Sequence, residues 1–231
     1  MAPETALALW SVPAAIALVV WLLAGAERSP RPSTVASVRF PWRSRDAWLG
    51  TLFMGGQSLL FYASLAWLAA DYTARGLSAS TAGLLLAVFS AAQLVTALVM
   101  PTLAHRGGSA RPWIALSVGL TTFGLLMIAV APMPFPAAPW LWATITGLGM
   151  GGNLALAFLV LTERAPTPAA APAFTGMAFF VGYLLAAVGP VAAGALRDVT
   201  GSYTPVFATL TVLGVLTLLV GVLAAPTHRP L

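Results

Sequence analysis

The sequence predicts an all-α polytopic membrane protein with about seven transmembrane helices, and three observations support this fold class. Of the 231 residues, 59% are hydrophobic and only 7% are charged, whereas a soluble domain carries about 25% charged residues. The mean hydropathy of +0.91 excludes intrinsic disorder, which needs low hydrophobicity and high net charge. Seven apolar stretches each approach the length of about 20 residues that a helix needs to cross the hydrocarbon core.

The seven stretches are separated by short segments that hold nearly all the charges. The stretches are continuously apolar and do not alternate in polarity, so they predict helices and not the strands of a membrane barrel. The predicted spans are residues 5–25, 47–72, 79–104, 112–131, 139–162, 172–196 and 204–225. A signal peptide with a cleavage-like site at Ala24-Gly25-Ala26 is the alternative for the first span. The absence of a preceding basic residue argues against it.

Arginine supplies all the positive charge, since the chain has no lysine. Eleven Arg against six acidic residues give a net charge of +5, which favours cytoplasmic loops of a membrane protein over nucleic-acid binding. Arg75 and Arg197 fall on one side of the predicted membrane. The others fall on the opposite side: Arg28, Arg31, Arg39, Arg43, Arg45, Arg106, Arg111, Arg164 and Arg229. This asymmetry predicts a cytoplasmic-membrane protein with its N-terminus outside and its C-terminus in the cytoplasm.

The residue types that catalysis or metal binding requires are scarce. The chain has no cysteine and only two histidines, His105 and His228, which excludes thiol chemistry and argues against a histidine-rich metal site. No paired carboxylates or nucleophile–base arrangement is visible. We therefore expect no enzyme, no metal and no cofactor. No ionisable residue lies deep in a predicted span, so the sequence shows no obvious internal proton relay.

Neutral polar side chains deep in the spans are the candidates for binding a small solute. Gln57 shares one face of its helix with Phe61, and Asn153 shares one face with Trp142, by their helical spacing. Two stripes that each carry an amide and an aromatic ring suggest a partly polar cavity. The solute-facing candidates are Gln57, Tyr62, Gln93, Asn153 and Tyr183. The alternative for each is a hydrogen bond that joins two helices.

A glycine-rich run lies inside the fifth predicted span. Gly147, Gly149 and Gly152 match the G-x-G-x-x-G pattern of dinucleotide sites, but that pattern needs a strand before it and a helix after it. Inside an apolar helix the run favours close helix packing. Gly147 and Gly151, one turn apart, predict the close approach of a neighbouring backbone.

Two further segments suggest conformational roles. The sixth span contains Gly189, Pro190 and Gly194. They predict a bent helix, used either for packing or as a hinge. The turn between the third and fourth spans is glycine-rich and basic, with His105, Arg106 and Arg111. It is either a short cytoplasmic loop with the usual excess of positive charge or a latch whose cations interact with helix ends.

Several of these segments together resemble the cyanate/2-nitroimidazole-type transporters, the CynX/NimT branch of the major facilitator superfamily. Residues 55–62 (GGQSLLFY) with 65–68 resemble that family's seventh helix, and residues 76–83 resemble the entry to its eighth. Residues 105–112 resemble the superfamily's signature loop, with His105 where Asp is usual. Residues 182–202 resemble the eleventh helix and the turn after it.

The resemblance implies a place for each span in a twelve-helix plan. Residues 1–25 would be the sixth helix, 26–46 a cytoplasmic linker, 47–225 the C-terminal six-helix half and 226–231 a cytoplasmic tail. The family binds its solute between two halves that rock against each other. The resemblance therefore implies transport of a small anion or nitrogenous compound, with a missing N-terminal half or a second copy as partner.

A function of another class remains open at this point. The chain could be a complete small membrane protein of seven helices that acts as a non-transporting subunit or as a homodimeric partner. A stable oligomer that supports solute uptake would favour this alternative over a truncated transporter.

Overall fold

The computed structural model describes residues 11–12, 15–22, 40–107 and 109–225. The chain divides into two units, residues 1–38 and 39–231. In the first unit, residues 11–12 and 15–22 are helical, and the rest of the predicted span 5–25 lies outside the described residues. Most of the predicted linker 26–46 and the whole predicted tail 226–231 also lie outside them.

The second unit confirms the predicted all-α fold class. Its helices are α1 (Arg45–Ala74), α2 (Ala79–Arg106), α3 (Arg111–Val130), α4 (Ala138–Glu163), α5 (Ala171–Thr200) and α6 (Thr204–Ala224), with a short 3-10 turn at Pro168–Ala170. Among the described residues, six helical segments are long and apolar enough to cross a membrane. Even α3, with 20 residues, extends about 30 Å, which is the thickness of a bilayer's hydrocarbon core.

The helix ends follow from local sequence. The Ser44 and Ser78 side chains accept hydrogen bonds from backbone N–H groups in the first turns of α1 and α2, which satisfies donors that a helix start leaves free. The other four helices have proline as their second residue, where a missing N–H is tolerated: Pro112, Pro139, Pro172 and Pro205. Gly201 ends α5 with a φ of 69°, a left-handed conformation that glycine adopts readily.

Helix packing brings α1 mainly against α5, α2 against α4, and α3 against both α4 and α6, whereas α5 and α6 touch little. The α1–α5 contact depends on paired glycines. A Cβ placed on Gly55 would lie 3.1 Å from the Cα of Gly182, and one on Gly182 would lie 3.3 Å from the Cα of Gly55. The two backbones therefore meet closely, and a Cβ on either glycine would need the other helix to shift.

The glycine run of α4 packs against two neighbours. A Cβ on Gly147 would overlap the carbonyl oxygen of Phe89 in α2, and a Cβ on Gly151 would overlap that of Gln93. On the other side, a Cβ on Gly149 would lie 2.5 Å from the backbone nitrogen of Thr121 in α3. The helix α4 is therefore held between α2 and α3 through backbone contacts.

The Gly189–Gly194 segment of α5 lies against α1. A Cβ on Gly189 would lie 2.9 Å from Leu59, and one on Gly194 would lie 2.8 Å from the ring of Trp67. Pro190 lies inside the continuous helix, and its carbonyl oxygen accepts a 2.9 Å hydrogen bond from Nε1 of Trp67. This segment packs closely and is also braced by a side-chain hydrogen bond from the neighbouring helix.

Candidate functional site

A groove of about 340 Å³ opens between four helices of the bundle. It is lined from α1, α2, α4 and α5, which pack pairwise as α1 with α5 and α2 with α4. The lining residues are Gln57, Ser58, Phe61, Tyr62, Ser90, Gln93, Leu94, Ala97, Leu154 and Tyr183. Its volume is at the small end of the range of about 300–1,000 Å³ for small-molecule sites.

Gln57 and Ser58 form the buried polar part of the groove. Gln57 is 3% exposed and Ser58 is 4% exposed. The Nε2 of Gln57 donates to Oγ of Ser58 at 2.8 Å and to the sulfur of Met54 at 3.4 Å. These bonds use both amide protons and fix the orientation of the side chain. The Oε1 atom accepts no hydrogen bond from the described residues, so it is left as an acceptor.

The α2 side of the groove carries Ser90 and Gln93. The hydroxyl of Ser90 donates to the carbonyl oxygen of Leu86 at 2.9 Å, which leaves its oxygen as an acceptor for another group. The amide of Gln93 is half-buried and makes no hydrogen bond with the described part of the chain. It therefore offers a donor and an acceptor to a bound molecule.

Aromatic rings line the α1 and α5 sides of the groove. The rings of Tyr62 and Tyr183 lie 6.1 Å apart with an interplanar angle of 55°, and both are about 40% exposed. Tyr183 also stacks on Phe179 at 5.4 Å, while Phe61 contacts Tyr62 at 5.1 Å. The aromatic faces are thus held by neighbours and present flat apolar surface beside the amides.

The groove is uncharged and mostly apolar, with a few polar groups. None of the lining side chains is charged, so the groove offers amide and hydroxyl groups and ring faces but no charged group. Among the described residues, no group of three or more His, Cys, Asp or Glu is placed to hold a metal ion. The arrangement suits a small, flat, polar molecule.

Four of the five solute-facing candidates lie together, and Asn153 does not join them. Gln57, Tyr62, Gln93 and Tyr183 all line the groove. Asn153 is 1% exposed, and its Nδ2 donates to Oγ1 of Thr121 in α3 at 3.1 Å. The stripe that carries Asn153 faces α3, and its chain neighbour Leu154 lines the groove instead.

In the basic turn between α2 and α3, no bond from Arg106 or Arg111 to a helix end is present among the described residues. His105 belongs to the last turn of α2, but its side chain lies outside what the structure describes. Arg106 and Arg111 are exposed, and their guanidinium groups make no hydrogen bond or ion pair with described residues. Arg164 binds helix ends instead. The sequence alone assigns this residue only to a cytoplasmic loop.

Arg164 contacts three helix ends at the same face of the bundle. Its Nε donates to the carbonyl oxygen of Ala224 at 2.8 Å, and its Nη2 donates to that of Leu223 at 2.8 Å. Its Nη1 forms an ion pair with Asp46. Cations are favoured at helix C-termini, and three unpaired carbonyls at the end of one helix give this side chain its position.

The opposite face of the bundle has its own ion pair. Nε of Arg75 lies 2.8 Å from Oδ1 of Asp71, whose side chain is 1% exposed. Nη2 of Arg75 also reaches Oγ1 of Thr204 at 3.5 Å. The pair connects the end of α1 with the start of α6, far along α1 from Gln57, and it does not line the groove.

Six helices that are long and apolar enough to span a membrane, four of which line an uncharged groove, define the class, a multi-pass α-helical membrane protein. No protein-family model matches the chain. Individual relatives do match: the uncharacterized transporter YycB of Bacillus subtilis is 33% identical over 205 residues, 87% of this chain and 50% of the relative.

Two relatives from Escherichia coli have more specific names. The 2-nitroimidazole transporter is 33% identical over 188 residues, covering 79% of this chain and 46% of the relative. The cyanate transport protein CynX is 33% identical over 203 residues, covering 85% of this chain and 50% of the relative. The predicted resemblance is confirmed: the chain is related to CynX/NimT-type transporters and spans about half the length of the curated relatives it matches.

Proposed function

We propose that this chain is the C-terminal part of a major facilitator transporter of the CynX/NimT type and that it supplies one wall of a solute path. Half-length similarity to three transporters supports a partial transporter. The motifs at residues 55–62 and 182–202 support assignment to the C-terminal half. Transport by relative motion of two halves would use no catalytic group, and we propose no enzyme activity.

The groove is the proposed solute site, and one observation carries this assignment. Neutral amides and phenol rings from α1, α2 and α5 converge on one groove. We assign solute contact to Gln57, Gln93, Tyr62 and Tyr183. Asn153 is left out of this set, because its amide joins α4 to α3.

The proposed solute is a small planar molecule rich in nitrogen or oxygen. Two relatives are named for cyanate and for 2-nitroimidazole, and both solutes are small, flat hydrogen-bond acceptors. The groove offers an amide donor at Gln93, an amide acceptor at Gln57 and ring faces at Tyr62 and Tyr183. The lining residues include no cation that could neutralise an anionic solute. For an anionic solute, such a cation would come from the N-terminal half.

The proposed orientation places the chain in the cytoplasmic membrane with its N-terminus outside. It rests on the excess of Arg at the face that holds Arg43, Arg106, Arg111 and Arg164, since cytoplasmic loops carry excess positive charge. Five of the six opposing helices would come from an N-terminal half, with residues 1–25 as the sixth. Rocking of the two halves would expose the groove to each side in turn, and we assign Gly189 and Pro190 in α5 as the bending point.

Co-production of separate halves tests this function. The chain would be produced in Escherichia coli together with the N-terminal half of the Bacillus subtilis relative, and cyanate and 2-nitroimidazole uptake would be measured in proteoliposomes. We expect uptake above background only when both halves are present. The matched control is the Bacillus subtilis relative produced as two separate halves that are divided at the same position. It shows whether two such fragments can assemble.

Two results would contradict the proposal. Uptake by the chain alone, together with a stable oligomer in detergent, would favour a homodimeric transporter. Full uptake by a Gln57→Ala, Gln93→Ala double variant would show that the groove is not the solute site.

A further inference from the structure

The turn before α1 is anchored on α5. The ring of Phe40 stacks on Phe180 with a centroid distance of 6.2 Å. It also lies over Gly176, where a Cβ would be 3.2 Å from its ring. Phe40, Ala47, Phe174 and Met177 belong to one small apolar cluster. The segment is therefore held at one end of the bundle as part of the folded unit.

Hydrogen bonds give this turn a defined shape. The backbone N–H of Ser44 donates to the carbonyl oxygen of Pro41 at 2.9 Å, and Nε1 of Trp48 donates to the carbonyl oxygen of Trp42 at 2.8 Å. The Trp42 ring contacts the rings of Phe40 and Trp48 at centroid distances of 5.7 and 6.1 Å, and the residue is 48% exposed. Arg43 and Arg45, on either side of the capping residue Ser44, are exposed as well.

The positive charge of Arg43 and Arg45 is not neutralised within the described residues. Neither guanidinium group forms an ion pair with a described carboxylate. The adjacent Asp46 is already paired with Arg164. An exposed indole beside two free guanidinium groups thus lies where α1 enters the apolar core.

We propose that Trp42, Arg43 and Arg45 bind the headgroup of an acidic phospholipid. Guanidinium groups form paired hydrogen bonds with phosphate oxygens, and tryptophan is enriched at the level of lipid headgroups. The exposed indole favours a lipid over a soluble phosphate, because its apolar ring gains from contact with the acyl region. The site is distinct from the groove, which these residues do not line.

Lipid binding is measured on the purified full chain, with no need for transport. The chain in detergent micelles is titrated with dioleoyl phosphatidylglycerol, and bound lipid is counted by native mass spectrometry. We expect tighter binding of phosphatidylglycerol than of dioleoyl phosphatidylcholine. An Arg43→Gln, Arg45→Gln double variant should bind phosphatidylglycerol about 30-fold more weakly, because it loses the charge-assisted hydrogen bonds of two guanidinium groups to the phosphate. Trp42→Ala should also weaken binding.

The matched control removes the same charge from the same face. Arg106→Gln, Arg111→Gln loses two exposed Arg that are not part of the turn before α1, and we expect less than about a threefold effect, because salt screens charges that do not touch the headgroup. Equal losses in the two double variants would show only diffuse surface charge and would overturn the site. Displacement of the lipid by equimolar glycerol phosphate would assign the site to a soluble anion and would also overturn the proposal. The solute groove is unaffected by either result.

Discussion

Arg164 and Asp46 form an ion pair across 118 positions of sequence, and the pair joins the end of α4 to the start of α1. The same guanidinium group donates to the carbonyl oxygens of Leu223, Ala224 and Ala225, which close α6. One side chain thus ties three helices at one face of the bundle.

Replacing Arg164 by Ala should destabilise the bundle. The variant leaves the last carbonyls of α6 without their donor and Asp46 without its partner. Charge-assisted hydrogen bonds contribute about 1.5–3 kcal/mol each when fully buried, and Arg164 is 18% exposed. We expect a loss of about 2 kcal/mol, measured as a lower unfolding temperature of the purified protein in detergent.

The control for Arg164 is Arg106→Ala, which removes an exposed Arg with no described side-chain partner. Its effect should stay within about 0.5 kcal/mol. Arg164→Lys should be intermediate, because an ammonium group keeps the charge but cannot reach several carbonyls in fixed directions. Equal unfolding temperatures for Arg164→Ala and Arg106→Ala would contradict the role of Arg164.

Adding one methyl group at Gly151 should disrupt the contact between α4 and α2. The new Cβ would overlap the carbonyl oxygen of Gln93 and Oγ1 of Thr96, and backbone cannot move aside as a flexible side chain can. Overpacking of this kind costs about 1–3 kcal/mol. Gly119→Ala in α3 is the matched control, since nothing lies within 4 Å of its Cβ. Equal unfolding temperatures for the Gly151→Ala and Gly119→Ala variants would contradict the close contact between α4 and α2.

Gln57→Ala should impair solute binding with little loss of folded protein. The amide makes hydrogen bonds only to its neighbours Ser58 and Met54 on α1, so no contact between helices is lost. We expect at least about a tenfold loss of solute affinity, as for removal of one buried hydrogen bond in a binding site. Unchanged uptake kinetics in the two-half assay would show that Gln57 does not touch the solute.

Asn153→Ala should show the opposite pattern. Its Nδ2 bond to Thr121 joins α4 to α3, and such bonds between membrane helices contribute about 0.6–1.7 kcal/mol. We expect a lower unfolding temperature and unchanged solute affinity. A loss of affinity with unchanged stability would return Asn153 to the solute site.

Trp67→Phe should weaken the contact of α1 with the proline segment of α5. The substitution removes the 2.9 Å bond from the indole to the carbonyl oxygen of Pro190, worth about 1 kcal/mol. Trp140→Phe makes the same change in size at a residue whose indole N–H has no hydrogen bond within the described residues. The first variant should therefore unfold at a lower temperature than the second.

Local sequence predicted the helices of the second unit well. Continuous apolarity, serine caps and prolines act within a few residues, and they fix where α3 begins at Arg111 or α5 ends at Thr200. The stripe of Gln57 and Phe61 also predicted one side of the groove, because a helical face that mixes an amide with aromatic rings avoids lipid.

What local sequence could not predict is which neighbour each face meets. The stripe with Asn153 also combines an amide with an aromatic residue, as the stripe with Gln57 does, yet it meets α3 and not the groove. Arg164 reaches α6 across 60 positions to Ala224, and no pattern of spacing indicates that contact. Both depend on how the helices are arranged around α4.

The backbone contacts on both sides of α4 also constrain how the sequence can change over evolutionary time. Sliding α4 by one residue would bring Leu148 or Met150 to a place where only a hydrogen atom fits. The three helices α2, α3 and α4 therefore share a single register, and relatives that diverge widely at lipid-facing positions should keep glycine at 147, 149 and 151. Substitution of these glycines would require simultaneous changes in α2 and α3. Such combined changes rarely arise through single mutations.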